Sequence, residues 1–437
     1  MYRVSTGAKI CGAYAFCSAI LITPHLPVVG YKLTLPDFVF VILIAYFALS
    51  ARNNDSSGKI KINSVATFFF LVLLLFVVSC YFSVLFNGIS YVGQDYITYM
   101  SIEFVNYIYG FILSFITCLL LNSKEDIYCV IKCWIFGSIV LGFGSFLAFM
   151  GVGGDLFIDD FSGRISSTMR AINQVPSFVA PALAFSLALS FNTFNEKLLN
   201  IKWIVLGCVF SIIALLATGS RTSLGMAVLV FLSLLVYSYF FPSSKKKNFS
   251  VYRFLLTTGF ISTLVTYFMV GFFYISTSQD LPALFRPIQL MLTWQTGILD
   301  VTDTTRIEQI EVGLKSINDY PLFGIGPGAF MPRHHMNEIH NSFLGVAVGQ
   351  GILGISLLII LIGLLIAIVS KGIQVTSDLS MKIIGFSLLV AFISLVGYAF
   401  FVYGMRQRNF WLIIGLILAY YKVSILNKHT LNSRLTP

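Results

Sequence analysis

Charged side chains are scarce in this sequence. Asp, Glu, Lys and Arg make up 11% of the 437 residues, whereas 57% of the residues are hydrophobic. A soluble domain needs roughly a quarter of its residues charged, so this composition excludes an ordinary soluble protein. Apolar runs recur instead, and a run of about twenty residues crosses a hydrocarbon core of about 30 Å. The sequence therefore predicts an all-α integral membrane protein with about twelve transmembrane helices.

Other absences narrow the function. None of the seven cysteines falls in the long polar loop described below, so no disulfide framework is expected there. The chain contains neither a Walker sequence nor a dinucleotide fingerprint, which argues against a nucleotide site. The net charge of +10 is explained by basic cytoplasmic loops rather than by nucleic-acid binding. No cofactor and no metal are expected.

Hydropathy and basic residues together predict one polytopic membrane domain, residues 1–437. Basic residues cluster on alternate connections, which predicts that both termini are cytoplasmic and that residues 276–341 form one large periplasmic loop subdomain. The apolar N-terminus shows no convincing cleavage site, so the first helix is expected to be retained. The predicted spans lie near residues 10–29, 36–50, 65–86, 102–121, 131–150, 176–194, 203–217, 224–241, 254–275, 342–370, 383–403 and 409–426.

The basic residues predicted on the outer side are strongly biased towards arginine. Eight of the ten are Arg, against four of the 18 on the inner side. Arginine is suited to bidentate recognition of phosphate or carboxylate, so the outer face is predicted to bind an anion. The ten outer residues are Lys32, Arg164, Arg170, Arg221, Arg286, Arg306, Lys315, Arg333, Arg406 and Arg408.

The loop 276–341 is the only connection long enough to fold. Thr305 and Glu308 match a capping box, which predicts that a helix starts at Arg306 and places its guanidinium in the first turn. The turn residues at 318–321 end that helix. Its apolar residues recur at helical spacing and form one stripe: Ile307, Ile310, Leu314 and Ile317.

Two short segments follow this helix. Residues 324–328 read Gly-Ile-Gly-Pro-Gly, a tight turn whose backbone can approach a ligand closely. His340-Asn341-Ser342 then opens the next apolar helix, which puts the imidazole near the membrane surface.

These segments resemble the O-antigen ligase and O-antigen polymerase superfamily, over roughly residues 160–360. Residues 340–344 (His-Asn-Ser-Phe-Leu) and the helix headed by Arg306 carry most of the resemblance, and Thr222 departs from the smaller residue that many members have there. Further matching residues are Gly163, Arg164, Asn173, the run 218–221 (Thr-Gly-Ser-Arg), Pro321, Gly324, Gly326, Phe330, Gly349, Gly351 and Gly354.

The resemblance implies a glycosyltransferase of the bacterial inner membrane that works on the periplasmic face. Its donor would be an undecaprenyl-diphosphate-linked oligosaccharide. A polymerase passes the glycan to another lipid-linked unit, and a ligase passes it to a lipid A-core acceptor. Arg306 and His340 stand 34 residues apart, and ligases usually have a longer excursion here, which favours a surface polysaccharide polymerase. A chain-length regulator is a further candidate partner.

Within that chemistry, each candidate residue has an expected role. Arg221 and Arg306, with Arg164 as a third, would stabilise the charge that grows on the leaving diphosphate. His340 would accept the proton of the acceptor hydroxyl, or would orient the acceptor or the phosphate. The remaining candidates for substrate binding are Gly326, Gly328 and Asn341.

The sequence also leaves room for a different catalytic base and for a different function. Asp303, Glu308 or Glu311 could supply a carboxylate base instead of the histidine. A flippase or transporter for a lipid-linked glycan would also have about twelve helices, but it would bury its charges in mid-membrane helices. A non-catalytic scaffold of an envelope assembly leaves the outer arginines unexplained.

Overall fold

The computed structural model describes residues 4–21, 34–52, 64–88, 94–158, 164–169, 171–190, 200–240 and 301–435. Apart from one antiparallel bridge between Ile158 and Ile165, the regular elements of these residues are helical. The α-helices are α1 (Thr6–Cys17), α2 (Leu35–Arg52), α3 (Ser64–Ser83), α4 (Gln94–Leu120), α5 (Lys124–Phe149), α6 (Val175–Ser190), α7 (Ile201–Ala217), α8 (Arg221–Phe240), α9 (Val301–Asp319), α10 (Phe330–His334), α11 (Ser342–Val375), α12 (Leu379–Ala399) and α13 (Arg408–Leu435).

Eight stretches of the described chain are long and apolar enough to cross a membrane, and each coincides with a predicted span. The protein is an all-α, multi-pass membrane protein, as its composition predicts. Helix α7, with 17 residues, covers the predicted span 203–217. Helix α1 has 12 residues, and residues 22–29 of the first predicted span lie outside the described part of the chain. The predicted span 254–275 lies outside the described residues. The number of twelve spans, the side of each terminus and the periplasmic position of loop 276–341 remain predictions.

Helices α6 and α13 form the centre of the bundle. Both are almost wholly buried, and α6 packs against α7, α8 and α12, while α13 packs against α4, α11 and α12. The contact between α4 and α13 depends on Gly110, because a Cβ there would overlap the indole of Trp411. A helix buried on all sides is apolar nearly all round, and α6 fits this with Ala, Leu, Val, Phe and Pro at every position except three, which are Ser.

Helix α9, which lies in the predicted loop, starts earlier than its capping box predicts. Helix α9 begins at Val301, so Thr305 and Arg306 lie in its second turn, and the expected position of Arg306 in the first turn is wrong. Neither proline nor glycine separates Val301 from Thr305, so nothing stops the helix from extending towards its N-terminus. The helix ends at Asp319, as predicted.

Most of the apolar stripe of α9 faces away from the bundle, and only Ile317 of the stripe packs against neighbouring buried residues. Ile307 and Leu314 are 46% and 57% exposed. Another part of its surface packs on α11, where the open side of Gly313 meets Leu344 and Val348. A small residue at this contact lets α9 lie close to the start of α11.

Helix α11 is interrupted at Gly351, whose φ of +66° and ψ of −161° are not helical. The interruption leaves backbone groups free to pair with the glycine turn of residues 324–328. Ile325 N donates to Val348 O over 2.8 Å, and Gly326 N donates to Gly349 O over 3.0 Å. The broken helix thereby fixes the glycine turn against the bundle, next to the segment that carries His340.

Candidate active site

His340 lies immediately before α11, in a segment that several contacts hold in place. Asn341 is the N-cap of α11, and its Oδ1 accepts a hydrogen bond from Leu344 N at 3.0 Å. Ser342 Oγ donates to Val402 O and accepts from Gly404 N at 2.7 Å. The side-chain oxygen of Asn341 starts the helix and so fixes the backbone beside His340. Binding of substrate by Asn341 remains a prediction.

His340 faces a polar cavity of about 360 Å³. This cavity, called the outer cavity below, lies among α1, α4, α6, the segment 338–340 and the start of α13. Its lining includes His340, Glu338, Arg406 and Arg408, together with the side-chain amides of five residues: Asn106, Asn173, Gln174, Gln407 and Asn409. A concave site of this size with converging polar groups is typical of a ligand site.

Arg406 binds two carboxylates at the edge of this cavity. Its guanidinium forms ion pairs with Glu103 of α4 and with Glu338, and it lies over the ring of Tyr403 at 4.8 Å from the centroid. Burial raises the pKa of Glu338 to about 7. Burial also lowers the pKa of Arg406 to about 10, which leaves it charged at neutral pH.

The structure places the charge of Arg306 near enough to His340 to change the pKa of the imidazole. Burial lowers the pKa of the His340 imidazole below its ordinary 6.5, and the positive charge of Arg306 lowers it further. The imidazole is therefore neutral at pH 7, the form that accepts a proton. The link between the two elements is also mechanical, because Gln309 Nε2 of α9 donates to Asn337 O at 3.2 Å.

Arg221 and Arg164 meet at a different turn. Arg221 is the first residue of α8, after Gly219 with its φ of +56°. Arg164 donates from Nε and Nη2 to the carbonyl of Thr218, at 3.0 and 2.7 Å. Arg164 therefore caps the end of α7 in front of Arg221, and neither arginine is among the described residues that line the outer cavity. Of the other predicted outer residues, Lys32, Arg170 and Arg286 lie outside the described part of the chain.

The glycines of the turn are required for packing against α4. Gly326 has a φ of +106°, and a Cβ there would overlap the hydroxyl of Tyr96. Gly328 has a φ of +72°, and a Cβ there would lie 2.7 Å from the carbonyl oxygen of Tyr99. The two glycines thus let the turn pack closely against α4. Their binding of substrate remains a prediction.

Gly326→Ala is expected to lower the free energy of unfolding by roughly 1–3 kcal/mol, because the new methyl group meets both an unfavourable φ and the Tyr96 hydroxyl. Tyr96→Phe in the same chain should restore part of the loss by removing that hydroxyl. Thermal unfolding in nanodiscs measures both, with Gly363→Ala as the control, since a Cβ at Gly363 meets no atom within 4 Å. No recovery in the double variant would show that the hydroxyl is not the obstacle.

Sequence reasoning missed the carboxylates of this site. Glu103 is completely buried within a membrane span, and an ionisable residue in such a span is by itself a signal of function. Glu338 stands two residues before His340, and the buried Ile339 between them turns both side chains towards the cavity. In the part of the chain that the structure describes, no group of three or more His, Cys, Asp or Glu side chains is arranged to hold a metal ion.

Comparison with protein families tests the resemblance seen in the sequence. Residues 206–359, about a third of the chain, match the family model described as O-antigen ligase. The resemblance to the O-antigen ligase and polymerase superfamily is confirmed. The matched residues 206–359, called the superfamily segment below, contain Arg221, Arg306 and His340. Arg164 and Arg406 lie outside this segment. The match supports activity of the O-antigen ligase and polymerase type. Among curated proteins, none matches the chain significantly.

Proposed function

We propose that the protein transfers a glycan from an undecaprenyl-diphosphate carrier to a sugar hydroxyl at the periplasmic face of the bacterial inner membrane. The observation that carries the proposal is that the charge of Arg306 acts on a neutral His340 at the wall of a polar cavity, both residues lying within the superfamily segment. The cation suits a diphosphate and the imidazole suits a hydroxyl proton. Both groups are needed when a diphosphate-linked glycan is transferred.

In the proposed reaction, the acceptor oxygen attacks the anomeric carbon of the donor glycan. The bond from that carbon to the phosphate oxygen breaks, and undecaprenyl diphosphate leaves with the electron pair. Arg306 stabilises the charge that grows on the leaving diphosphate, with Arg221 and Arg164 as further cations for the same role. His340 takes the proton of the attacking hydroxyl or orients the acceptor.

A surface polysaccharide polymerase is the favoured form of this activity, because only 34 residues separate Arg306 from His340. The matching family is described as O-antigen ligase, which favours the second candidate, a ligase that transfers to lipid A-core. A deletion strain separates the two on a surface polysaccharide gel. A single repeat unit on core means a polymerase, and loss of capped core with polymer on the carrier lipid means a ligase. An unchanged ladder contradicts both.

The transfer rate is expected to fall as the pH falls through the lowered pKa of His340, below 6.5. The sign follows from the roles: a base must be neutral, and burial together with Arg306 disfavours the protonated imidazole. His340→Ala should lower the rate by about 10²–10⁴-fold and remove this limb of the profile. The measurement is kcat/KM against pH for the protein in nanodiscs, with lipid-linked glycan extracted from the deletion strain.

Glu338 provides the internal comparison for this profile. Its pKa is about 7, so any effect of its ionisation on kcat/KM would appear at higher pH than the effect of His340. Glu338→Gln should remove that part of the pH profile and leave the part due to His340 in place. His340→Gln keeps hydrogen-bonding groups but cannot take up the proton. Near-normal transfer by His340→Gln would overturn the role as base and support an orienting role.

A further inference from the structure

The outer cavity is lined by an unusual number of side-chain amides. Five residues with carboxamide side chains line it, from three parts of the chain: Asn106 of α4, Asn173 and Gln174 before α6, and Gln407 and Asn409 at the start of α13. A carboxamide presents both donors and acceptors, so it can pair with a hydroxyl group whichever way that hydroxyl points. Such a lining matches a ligand that carries many neutral hydroxyl groups.

Asn409 gives a second, independent sign of a ligand. The residue is only 5% exposed, and its Nδ2 donates to Ser177 Oγ at 3.3 Å. Its Oδ1 is buried, and nothing within the described residues donates a hydrogen bond to it. A buried acceptor without a donor costs free energy, and here the acceptor belongs to a residue of the cavity wall. A hydroxyl group of a bound ligand would supply the donor.

The ion pairs of the outer cavity argue against an anionic ligand. Arg406 is neutralised by two carboxylates, Glu103 and Glu338. Arg408 is paired with Asp37, with 2.7 Å between Nη2 and Oδ1. The two guanidinium groups, of Arg406 and Arg408, are thus paired with three carboxylates. These described ion pairs therefore give the cavity no excess positive charge. A diphosphate or an acidic sugar would find its counter-charge elsewhere.

We infer that the outer cavity is a subsite for an uncharged sugar, and that Asn409 Oδ1 accepts a hydrogen bond from one of its hydroxyl groups. The assignment of this sugar as the acceptor of glycan transfer rests on the proposed function. The diphosphate of the donor then lies outside the cavity, on the side of Arg306. The substrate class is therefore a neutral hexose or N-acetylhexosamine at the accepting end, rather than a uronic acid.

The first test is direct binding to the full chain in nanodiscs at pH 7.5, by saturation-transfer NMR. The probes are methyl glucoside and methyl glucuronide, which differ in the oxidation state of one carbon. The neutral glycoside should bind, and the glucuronide should bind at least about tenfold more weakly. Equal or tighter binding of the glucuronide overturns the inference.

The second test uses Asn409→Leu, which should weaken binding of the neutral glycoside about threefold to tenfold, the loss expected for one hydrogen bond. Its thermal unfolding should be unchanged or raised, because the buried acceptor without a donor is gone. Asn106→Leu, on another wall, should show the same weakening. The control is Asn200→Ser, an exposed N-cap whose hydroxyl keeps its capping role. Full binding by both leucine variants overturns the inference.

A transfer assay separates the two proposals. If the protein transfers glycan and neither leucine variant raises the KM for acceptor, the sugar subsite is wrong and the proposed function stands. If the neutral glycoside binds through Asn409 but no glycan is transferred, the proposed function is wrong and the subsite stands.

Discussion

Arg306→Ala is expected to lower the rate of glycan transfer by about 10²–10³-fold, the loss typical of removing one fixed group that stabilises developing charge. Arg306 is placed for this role by α9, which packs on α11 next to His340. It does not sit among the free N–H groups of a first helical turn, so its own guanidinium must supply the positive charge. Initial rates in nanodiscs, with extracted lipid-linked glycan, measure the loss.

The Arg306→Lys variant is expected to transfer glycan almost as slowly as Arg306→Ala. A lysine keeps the charge but presents a single ammonium group, whereas a guanidinium makes two parallel hydrogen bonds to a diphosphate. Full activity of the lysine variant would show that charge alone suffices, and full activity of the alanine variant would remove Arg306 from the site.

Arg333→Lys is the matched control for the lysine variant. Arg333 lies on the same loop, but its Nη2 donates to Tyr320 Oη at 2.7 Å and its guanidinium lies over that ring. It is not one of the described residues around the outer cavity. Its replacement should change the rate by less than about threefold. Arg306→Ala should also move the acidic limb of the pH profile upwards, because the charge that lowers the pKa of His340 is gone.

The parts of the fold that follow from local pattern could be predicted from the sequence. A membrane helix satisfies its own backbone, so an apolar run of sufficient length specifies it without reference to the rest of the chain. The end of α9 at Asp319 and the start of α11 at Ser342 follow in the same way from turn and capping residues. The start of α9 could not be fixed, because the pair Thr305 and Glu308 is equally compatible with the inside of a helix.

Only part of the site could be predicted from the sequence, because the rest depends on contacts between residues that are far apart in the chain. His340 and Arg306 could be found because each belongs to a motif. The cluster of Glu103, Glu338 and Arg406 joins residues up to 303 positions apart, and no local pattern indicates that pairing. The role of Gly326 also depends on a contact with another helix, since the group it makes room for is the hydroxyl of Tyr96.

Arg406→Gln is expected to destabilise the protein by about 3–5 kcal/mol, the cost typical of removing one partner of a buried ion pair. Glu103 has no exposure to solvent, so its carboxylate would be left without its counter-charge inside the bundle. The loss should appear as a lower temperature of thermal unfolding in nanodiscs and as less folded protein recovered from membranes.

The double variant Arg406→Gln with Glu103→Gln identifies the cause of that loss. It removes the stranded carboxylate together with the guanidinium, so it should recover most of the stability, because two neutral amides of similar shape can replace a buried pair at little cost. Lys124→Gln is the control, since Lys124 and Asp378 form a partly exposed ion pair at 3.2 Å, which is worth at most about 1 kcal/mol. A double variant as unstable as Arg406→Gln would mean that Arg406 stabilises the fold through packing on Tyr403 instead. Recovery of stability without recovery of transfer would assign the charged cluster itself to the reaction.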